Sequence, residues 1–145
     1  MTKHYEIIVG TMLGAAEYVA DAIAASLSEK SATTTIHTEP KFEDINQQAT
    51  WVVCTSTHGA GELPDNIQEF AKALNTADLP GTQVVIIGLG DTSYDTFCYG
   101  AKEIETKLVN AGATLLTAPL HIDVLEHPIP EDEAVQWFES NVDVA

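Results

Sequence analysis

Two apolar runs in the middle of the chain constrain the fold more than any other feature. Residues 51–55 read WVVCT and residues 84–88 read VVIIG. Short runs that are rich in β-branched residues and apolar on both faces are typical of central strands in a parallel sheet, which helices cover on both sides. The chain is therefore expected to form an α/β fold.

Each run breaks into a loop of small and polar residues. Residues 56–64 read STHGAGELP and carry His58, and residues 89–98 read LGDTSYDTFC and carry Tyr94. In open α/β sheets the loops at the carboxyl ends of the strands bind ligands. Small residues let the backbone approach a flat ligand, and a ring supplies a stacking surface. The two loops therefore predict a planar aromatic ligand, either a flavin or a nucleotide base.

A third loop indicates where a phosphate would bind. Residues 5–9 are a short, mostly apolar run, residues 10–17 read GTMLGAAE, and apolar residues then recur at helical spacing. A strand that turns into a helix amino terminus directs free N–H groups and the positive end of the helix dipole at an anion. Neither the P-loop spacing, which needs a Lys after Gly14, nor G-x-G-x-x-G is present. A plain strand-to-helix connection is the alternative interpretation.

Strand and helix patterns alternate along the whole chain. The predicted strands are 5–9, 33–37, 51–55, 83–88 and 114–122, and the predicted helices are 15–28, 66–74, 96–110 and 131–141. This alternation implies a parallel sheet covered on both faces. Right-handed crossovers allow the order 2-1-3-4-5, with a ligand crevice beside strands 1 and 3. A length of 145 residues suits one domain over residues 1–145.

Together the three loops resemble those of flavodoxins. The most specific segments are STHGAGELPDN at 56–66 and GLGDTSYDTFC at 88–98. The resemblance covers essentially the whole chain and is closest to short-chain flavodoxins of the MioC type and to the FMN modules of diflavin reductases. It implies a flavodoxin-like three-layer sandwich, with a five-stranded parallel sheet of order 2-1-3-4-5, in a single FMN-binding domain.

The resemblance also assigns residues to the FMN phosphate. Flavodoxins usually carry several hydroxyls in the first loop, whereas this chain keeps one, that of Thr11. The phosphate is therefore expected to depend mainly on backbone N–H groups. Because each lost hydrogen bond to a charged group is worth about 1.5–3 kcal/mol, phosphate binding should be weaker than in relatives that carry more hydroxyls. The implied phosphate residues are Thr11, Met12, Leu13, Gly14, Ala15 and Ala16, helped by Ser56 and Thr57.

The other two loops are implied to hold the flavin ring. His58 stands where related proteins place Trp or Tyr against the inner face, and Tyr94 matches the outer stacking aromatic. Gly59 matches the glycine whose carbonyl can turn toward flavin N5, which favours one-electron chemistry. The implied ring contacts are His58, Gly59, Ala60, Gly61, Leu89, Gly90, Asp91, Tyr94, Phe97 and Cys98. No catalytic residue or metal site is expected, and Cys54 and Cys98 are interpreted as reduced thiols.

The charge of the chain bears on its partners. Six Lys, no Arg and 22 acidic residues give a net charge of −16. This disfavours nucleic acid and favours basic protein partners. The resemblance implies a flavodoxin-reductase-type donor and a basic-surfaced redox acceptor, with biotin synthase as the acceptor that MioC-type proteins suggest. No apolar run is long enough to span a membrane and no signal peptide is evident, so a cytoplasmic location is expected. An acidic rim around the flavin is expected from Glu62, Asp65, Asp91, Asp95 and Asp123.

Three other functions compete with a one-electron carrier that has no substrate turnover of its own. A flavin-free binding or regulatory module on the same fold would explain the missing loop hydroxyls. A phospho-receiver would need an Asp at the end of the third strand, where this chain has Thr55. A flavin enzyme that reduces a small substrate would need an acid, base or nucleophile at the crevice, and His58 is the one candidate. The carrier is the interpretation that the motifs favour.

Overall fold

A computed structural model describes residues 3–144, which are organised around one parallel sheet. The strand order is β2-β1-β3-β4-β5, and β6 pairs with β4 as well, so the flavodoxin-like sandwich predicted from the sequence is confirmed. The strands are β1 (His4–Gly10), β2 (Thr33–His37), β3 (Thr50–Thr55), β4 (Gln83–Gly90), β5 (Thr114–Leu115) and β6 (Leu120–Asp123). The helices are α1 (Ala15–Glu29), α2 (Gln68–Leu74), α3 (Tyr99–Asn110) and α4 (Pro130–Asn141), with 3₁₀ turns at Phe42–Asp44 and Asp65–Ile67.

The last strand differs from the prediction of one strand over residues 114–122. It is divided into β5, which pairs with the start of β4, and β6, which pairs with its end. Residues 116–119 form no strand, and they end with Pro119, which has no N–H to donate to a ladder. Within residues 3–144 the sheet thus has six strands, and β5 and β6 share the place beside β4.

Backbone conformation decides where the helices begin. Gly14 has a φ of 96° immediately before α1, and Cys98 has a φ of 55° immediately before α3. The helix predicted at 96–110 therefore begins only at Tyr99, because the left-handed residue before it cannot belong to the helix. Helix α4 begins with Pro130, and acidic residues occupy its first turn, as expected for a helix amino terminus.

The two faces of the sheet carry separate cores. Ile7 and Val9 of β1 belong to the core beneath α1 and α4, whereas Ile8 belongs to the core beneath α2 and α3. In the second core the buried Trp51 ring lies 5.9 Å from the ring of Phe70, measured between centroids. The middle residues of β3 and β4 are therefore apolar on both faces of the sheet, which is the pattern that the sequence shows.

A buried carboxylate bridges the two strands at one edge of the sheet. The Glu6 side chain on β1 accepts a hydrogen bond from the backbone N–H of Asn46 at 3.1 Å, and one of its oxygens lies 3.0 Å from Nε2 of His37 on β2. Nε2 of His4 lies 3.6 Å from the same oxygen. Burial raises the pKa of Glu6, but the hydrogen bonds from His37 and Asn46 and the charges of the two histidines outweigh burial and lower the pKa overall.

The lowered pKa of Glu6 predicts a loss of stability in acid. Ionised Glu6 stabilises the folded state above its ordinary pKa of 4.5, and this contribution disappears as the pH falls through the lower folded value. Denaturant unfolding between neutral pH and about pH 3 should therefore show a steeper loss of unfolding free energy for the wild type than for Glu6→Gln. Parallel curves would contradict the predicted linkage.

Candidate functional site

A cleft of about 340 Å³ opens at the carboxyl ends of the strands. Its walls come from the segments that follow β1, β3, β4 and β6, which is the crevice predicted beside strands 1 and 3. The volume falls within the range of about 300–1,000 Å³ that small-molecule sites occupy. The lining residues are Met12, Leu13, Ala15, Ser56, Thr57, His58, Gly59, Leu89, Gly90, Asp91, Tyr94, Thr96, Phe97, Cys98 and Val124.

The first wall is the loop between β1 and α1. The N–H of Gly14 donates to Oγ1 of Thr11 at 2.8 Å, which closes the loop on itself. The first backbone bond of the helix runs from the N–H of Tyr18 to the carbonyl of Gly14 at 3.0 Å. The N–H groups of Ala15, Ala16 and Glu17 therefore have no carbonyl partner within α1. Together with the helix dipole they form a site suited to a phosphate.

The second wall is a tight turn around His58. His58 and Glu62 exchange two backbone hydrogen bonds of 2.7 and 2.8 Å. Gly59 and Gly61 inside the turn have φ values of 52° and 101°, which other residues adopt only with strain. This wall is fastened to α3, since the N–H of Gly100 donates to Oγ1 of Thr57 at 3.0 Å. The Thr57 hydroxyl accepts in that bond, and its proton remains available to a ligand.

The third wall carries Tyr94, whose side chain is 62% exposed. Asp123 at the end of β6 holds this loop by accepting hydrogen bonds from the hydroxyl of Thr92 at 2.5 Å and from its N–H at 3.3 Å. The hydrogen bond from the Thr92 hydroxyl is the main cause of a lowered pKa of Asp123. Asp123 is buried and engaged in this contact and does not line the cleft, so of the five acids expected around the flavin it is one that holds a loop.

Two titratable groups, the Cys98 thiol in the cleft and the His121 ring behind Phe97, are uncharged at neutral pH. Burial raises the pKa of the Cys98 thiol to about 12, so the thiol stays protonated at neutral pH. The His121 ring packs edge-on against Phe97, with 6.3 Å between centroids. Burial and the charge of Lys102 lower the pKa of His121, and its Nε2 has no hydrogen-bond partner among residues 3–144. Cys98 and Phe97 therefore give this part of the cleft an uncharged surface, which suits a flat, uncharged ring.

The structure brings most of the predicted site residues to the cleft. All lining residues except Thr96 and Val124 are in the predicted set. The predicted residues that do not line it are Thr11, Gly14, Ala16, Ala60 and Gly61. The Thr11 side chain closes its own loop, Ala16 is fully buried in the core, and Gly61 faces the start of α3.

Sequence reasoning missed three residues at or near the site. Thr96 belongs to the Tyr94 loop, and Val124 directly follows the carboxyl end of β6, so the strand-end rule could have identified both. Asn66 lies behind the first wall, where its side chain accepts a hydrogen bond from the N–H of Thr11 at 2.8 Å. Because its partners are backbone atoms of distant segments, no local pattern signals this role.

Two features that other functional classes require are not found in the described part of the chain. Among residues 3–144, no group of three or more His, Cys, Asp or Glu side chains is arranged to hold a metal ion. None of the helices in that range is long and apolar enough to cross a membrane. Among the residues that line the cleft, Asp91 is the one acid and His58 is the one histidine.

Comparison with known proteins agrees with this geometry. The sequence profile of the family described as Flavodoxin matches residues 7–138. The chain is 42% identical over 136 residues to Protein MioC of Escherichia coli O157:H7, with 92% of both chains covered. It is 35% identical to Flavodoxin YqcA of Escherichia coli K12, again with 92% of both covered. Among solved structures, the C101A mutant of Flavodoxin from Pseudomonas aeruginosa superposes with a TM-score of 0.87 at 30% identity, covering 94% of this chain and 95% of that one.

Proposed function

Because the chain belongs to the flavodoxin family of electron carriers, we propose that it shuttles single electrons from a flavodoxin-reductase-type donor to acceptor proteins and turns over no substrate of its own. FMN is its cofactor, as it is throughout the family. The observation that carries the proposal is the meeting, at one cleft, of an open helix amino terminus with the side chains of His58 and Tyr94. The alternative of a flavin-free module rests on the missing hydroxyls of the first loop alone.

The three walls divide the cofactor between them in this proposal. The phosphate binds the free N–H groups at the start of α1 and the hydroxyls of Ser56 and Thr57. The ring lies between His58 and Tyr94, with its polar edge on the segment from Leu89 to Asp91. FMN supplies the one-electron redox chemistry when bound, and the protein binds it, orients it and limits its contact with water.

The absence of substrate chemistry is proposed from the groups that face the cleft. The Cys98 thiol, with a pKa of about 12, is not a nucleophile at neutral pH. Asp91 is committed to the backbone N–H of Ser93 at 2.8 Å, so it is not poised to transfer a proton. His58, another titratable group that lines the cleft, is exposed, and no hydrogen bond to a carboxylate orients its ring within residues 3–144.

The kind of partner protein is inferred from the net charge of the chain. With a net charge of −16, the protein should attract basic surfaces, and exposed acids stand close to the cleft in two of its loops, at Glu62, Asp65 and Asp95. Such a field steers a basic acceptor toward the cofactor. Biotin synthase is the acceptor proposed from the likeness to MioC proteins. Two free buried thiols are consistent with action in the reducing cytoplasm.

Electron transfer to a basic haem protein tests the function. Protein loaded with FMN and reduced by NADPH with a flavodoxin reductase should reduce cytochrome c in stopped-flow mixing. The rate constant should fall about tenfold or more between about 0.05 M and about 0.5 M salt, since the Debye length shrinks well below 8 Å. A carrier that shows no electron transfer, or a rate independent of salt, would contradict the proposal.

A matched pair of variants locates the steering charge. Asp95 and Asp78 are both exposed, but Asp95 follows Tyr94 at the cleft, whereas Asp78 precedes β4, at the amino ends of the strands and away from the cleft. Asp95→Asn should slow the reaction about twofold at low salt and have no effect at high salt. Asp78→Asn should leave both rates unchanged, and equal effects would show that only net charge matters.

A further inference from the structure

The side chain of Asn66 connects three segments that are distant in sequence. Its Oδ1 accepts a hydrogen bond from the N–H of Thr11 at 2.8 Å. Its Nδ2 donates to the carbonyl of Val9 at 2.7 Å and to the carbonyl of Thr38 at 2.8 Å. The amide therefore ties the 3₁₀ turn before α2 to the end of β1 and to the segment after β2.

The hydrogen-bonding inventory of Asn matches these partners. A primary amide has two N–H donors on one side and an acceptor oxygen on the other, and here both donors and the acceptor are used. An Asp at position 66 could still accept from Thr11, but it would present an oxygen to the carbonyls of Val9 and Thr38. An Ala would leave all three backbone groups without this partner. The position thus requires an amide of this length.

The contact acts at the base of the phosphate-binding loop. Asn66 holds the chain on both sides of Gly10, at Val9 and at Thr11, and so sets the direction in which the loop leaves the sheet. Thr11 passes this constraint on, because its hydroxyl accepts from the N–H of Gly14, the residue before α1. The N–H groups of Thr11 and Gly14 are thereby occupied. Met12, Leu13 and Ala15, which line the cleft, are the neighbouring residues whose N–H groups can serve a ligand.

We propose that Asn66 is a positioning residue that holds the loop of residues 11–14 in the conformation that binds the FMN phosphate. The inference deepens the proposed function, since it rests on FMN being bound at this loop. Asn66 does not line the cleft, so it acts through Thr11 and Gly14 rather than by contact with the cofactor. Its effect should be confined to the phosphate end of the ligand.

Riboflavin separates a phosphate effect from a general structural effect, because it carries the same ring without the phosphate. Apoprotein of Asn66→Ala should be titrated with FMN and, separately, with riboflavin, each followed by quenching of flavin fluorescence. The Kd for FMN should rise about tenfold to a hundredfold, as expected for the loss of polar contacts that leaves partly buried backbone groups without their partner. The Kd for riboflavin should change less than about twofold.

A neighbouring amide supplies the control. Gln68 lies two residues away, and its Nε2 donates to the carbonyl of Leu63 at 2.8 Å without reaching the phosphate loop. Gln68→Ala should leave the affinity for FMN unchanged. Asn66→Asp, which keeps the size of the side chain and its acceptor, serves as a second variant if Asn66→Ala does not fold. It should show the same selective loss of FMN.

The outcomes distinguish the inference from the proposed function. An equal loss of FMN and riboflavin by a folded variant, an unchanged Kd for FMN, or failure of both Asn66 variants to fold would overturn the positioning role. Wild-type protein that binds neither flavin would instead contradict the proposed function itself. Circular dichroism and thermal unfolding of the apoproteins establish which variants are folded.

Discussion

Replacing Tyr94 with alanine is expected to weaken FMN binding by about 2–3 kcal/mol, or roughly 30- to 150-fold in Kd. The ring lines the cleft and is 62% exposed, so one face is free to stack on a flavin. Aromatic stacking contributes about 0.5–1.5 kcal/mol beyond the burial of apolar area, and covering one ring face accounts for the remainder. Fluorescence titration of the apoprotein with FMN measures the change.

Tyr18 provides the control for the replacement of Tyr94, because its exposure is nearly the same. It is 63% exposed on α1 and does not line the cleft. Tyr18→Ala should therefore leave the affinity for FMN unchanged, and both variants should stay within about 0.5 kcal/mol of the wild type in unfolding free energy. Equal losses of affinity in the two variants would mean that the flavin ring does not stack on Tyr94.

Replacing Gly61 with alanine is expected to destabilise the apoprotein by about 2–4 kcal/mol. Gly61 has a φ of 101°, and a Cβ at this position would lie 2.9 Å from Cδ2 of Tyr99 and 3.2 Å from Cβ of Thr96. The strain of the backbone and the steric overlap therefore add. Because Thr96 lines the cleft, its displacement should also weaken FMN binding.

Gly59 separates the two causes, because it lies in the same turn with a φ of 52° and no atom within 4 Å of an added Cβ. Gly59→Ala should cost only the strain of a left-handed residue, about 1–2 kcal/mol. Denaturant unfolding of the two variants gives the comparison. A cost for Gly61→Ala no greater than that for Gly59→Ala would show that the contact with Tyr99 and Thr96 can relax.

The parts of this fold that the sequence predicts are those governed by local signals. Apolar runs at 51–55 and 84–88 specify buried strands, and the residues at their carboxyl ends line the cleft because all the strands are parallel. Glycine and small residues predict which loops can approach a ligand, and the Gly14 turn before α1 is a local signal of the same kind. These features need no knowledge of distant contacts.

The parts that the sequence does not predict depend on partners far along the chain. Charge alone places Asp123 among the acids expected around the flavin, and it does not reveal the partly buried hydrogen bond that Asp123 accepts from the Thr92 hydroxyl. Asn66 has no periodicity or motif that indicates backbone partners at Val9 and Thr38. Motif matching also assigns whole segments to a site, although neighbouring side chains in a segment point in different directions. Ala15 lines the cleft, for example, whereas the adjacent Ala16 is buried in the core.

The division of the last strand affects how readily two molecules of this protein can pair through the edges of their sheets. A long, regular strand at the border of a sheet presents unpaired N–H and C=O groups that can pair with another molecule. Here that border is interrupted: β5 has two residues, β6 has four, and Pro119 stands between them. At the opposite border, Thr33 and Thr35 of β2 turn polar side chains to solvent. The border formed by β5 and β6 therefore offers only a short, interrupted template for intermolecular strand pairing.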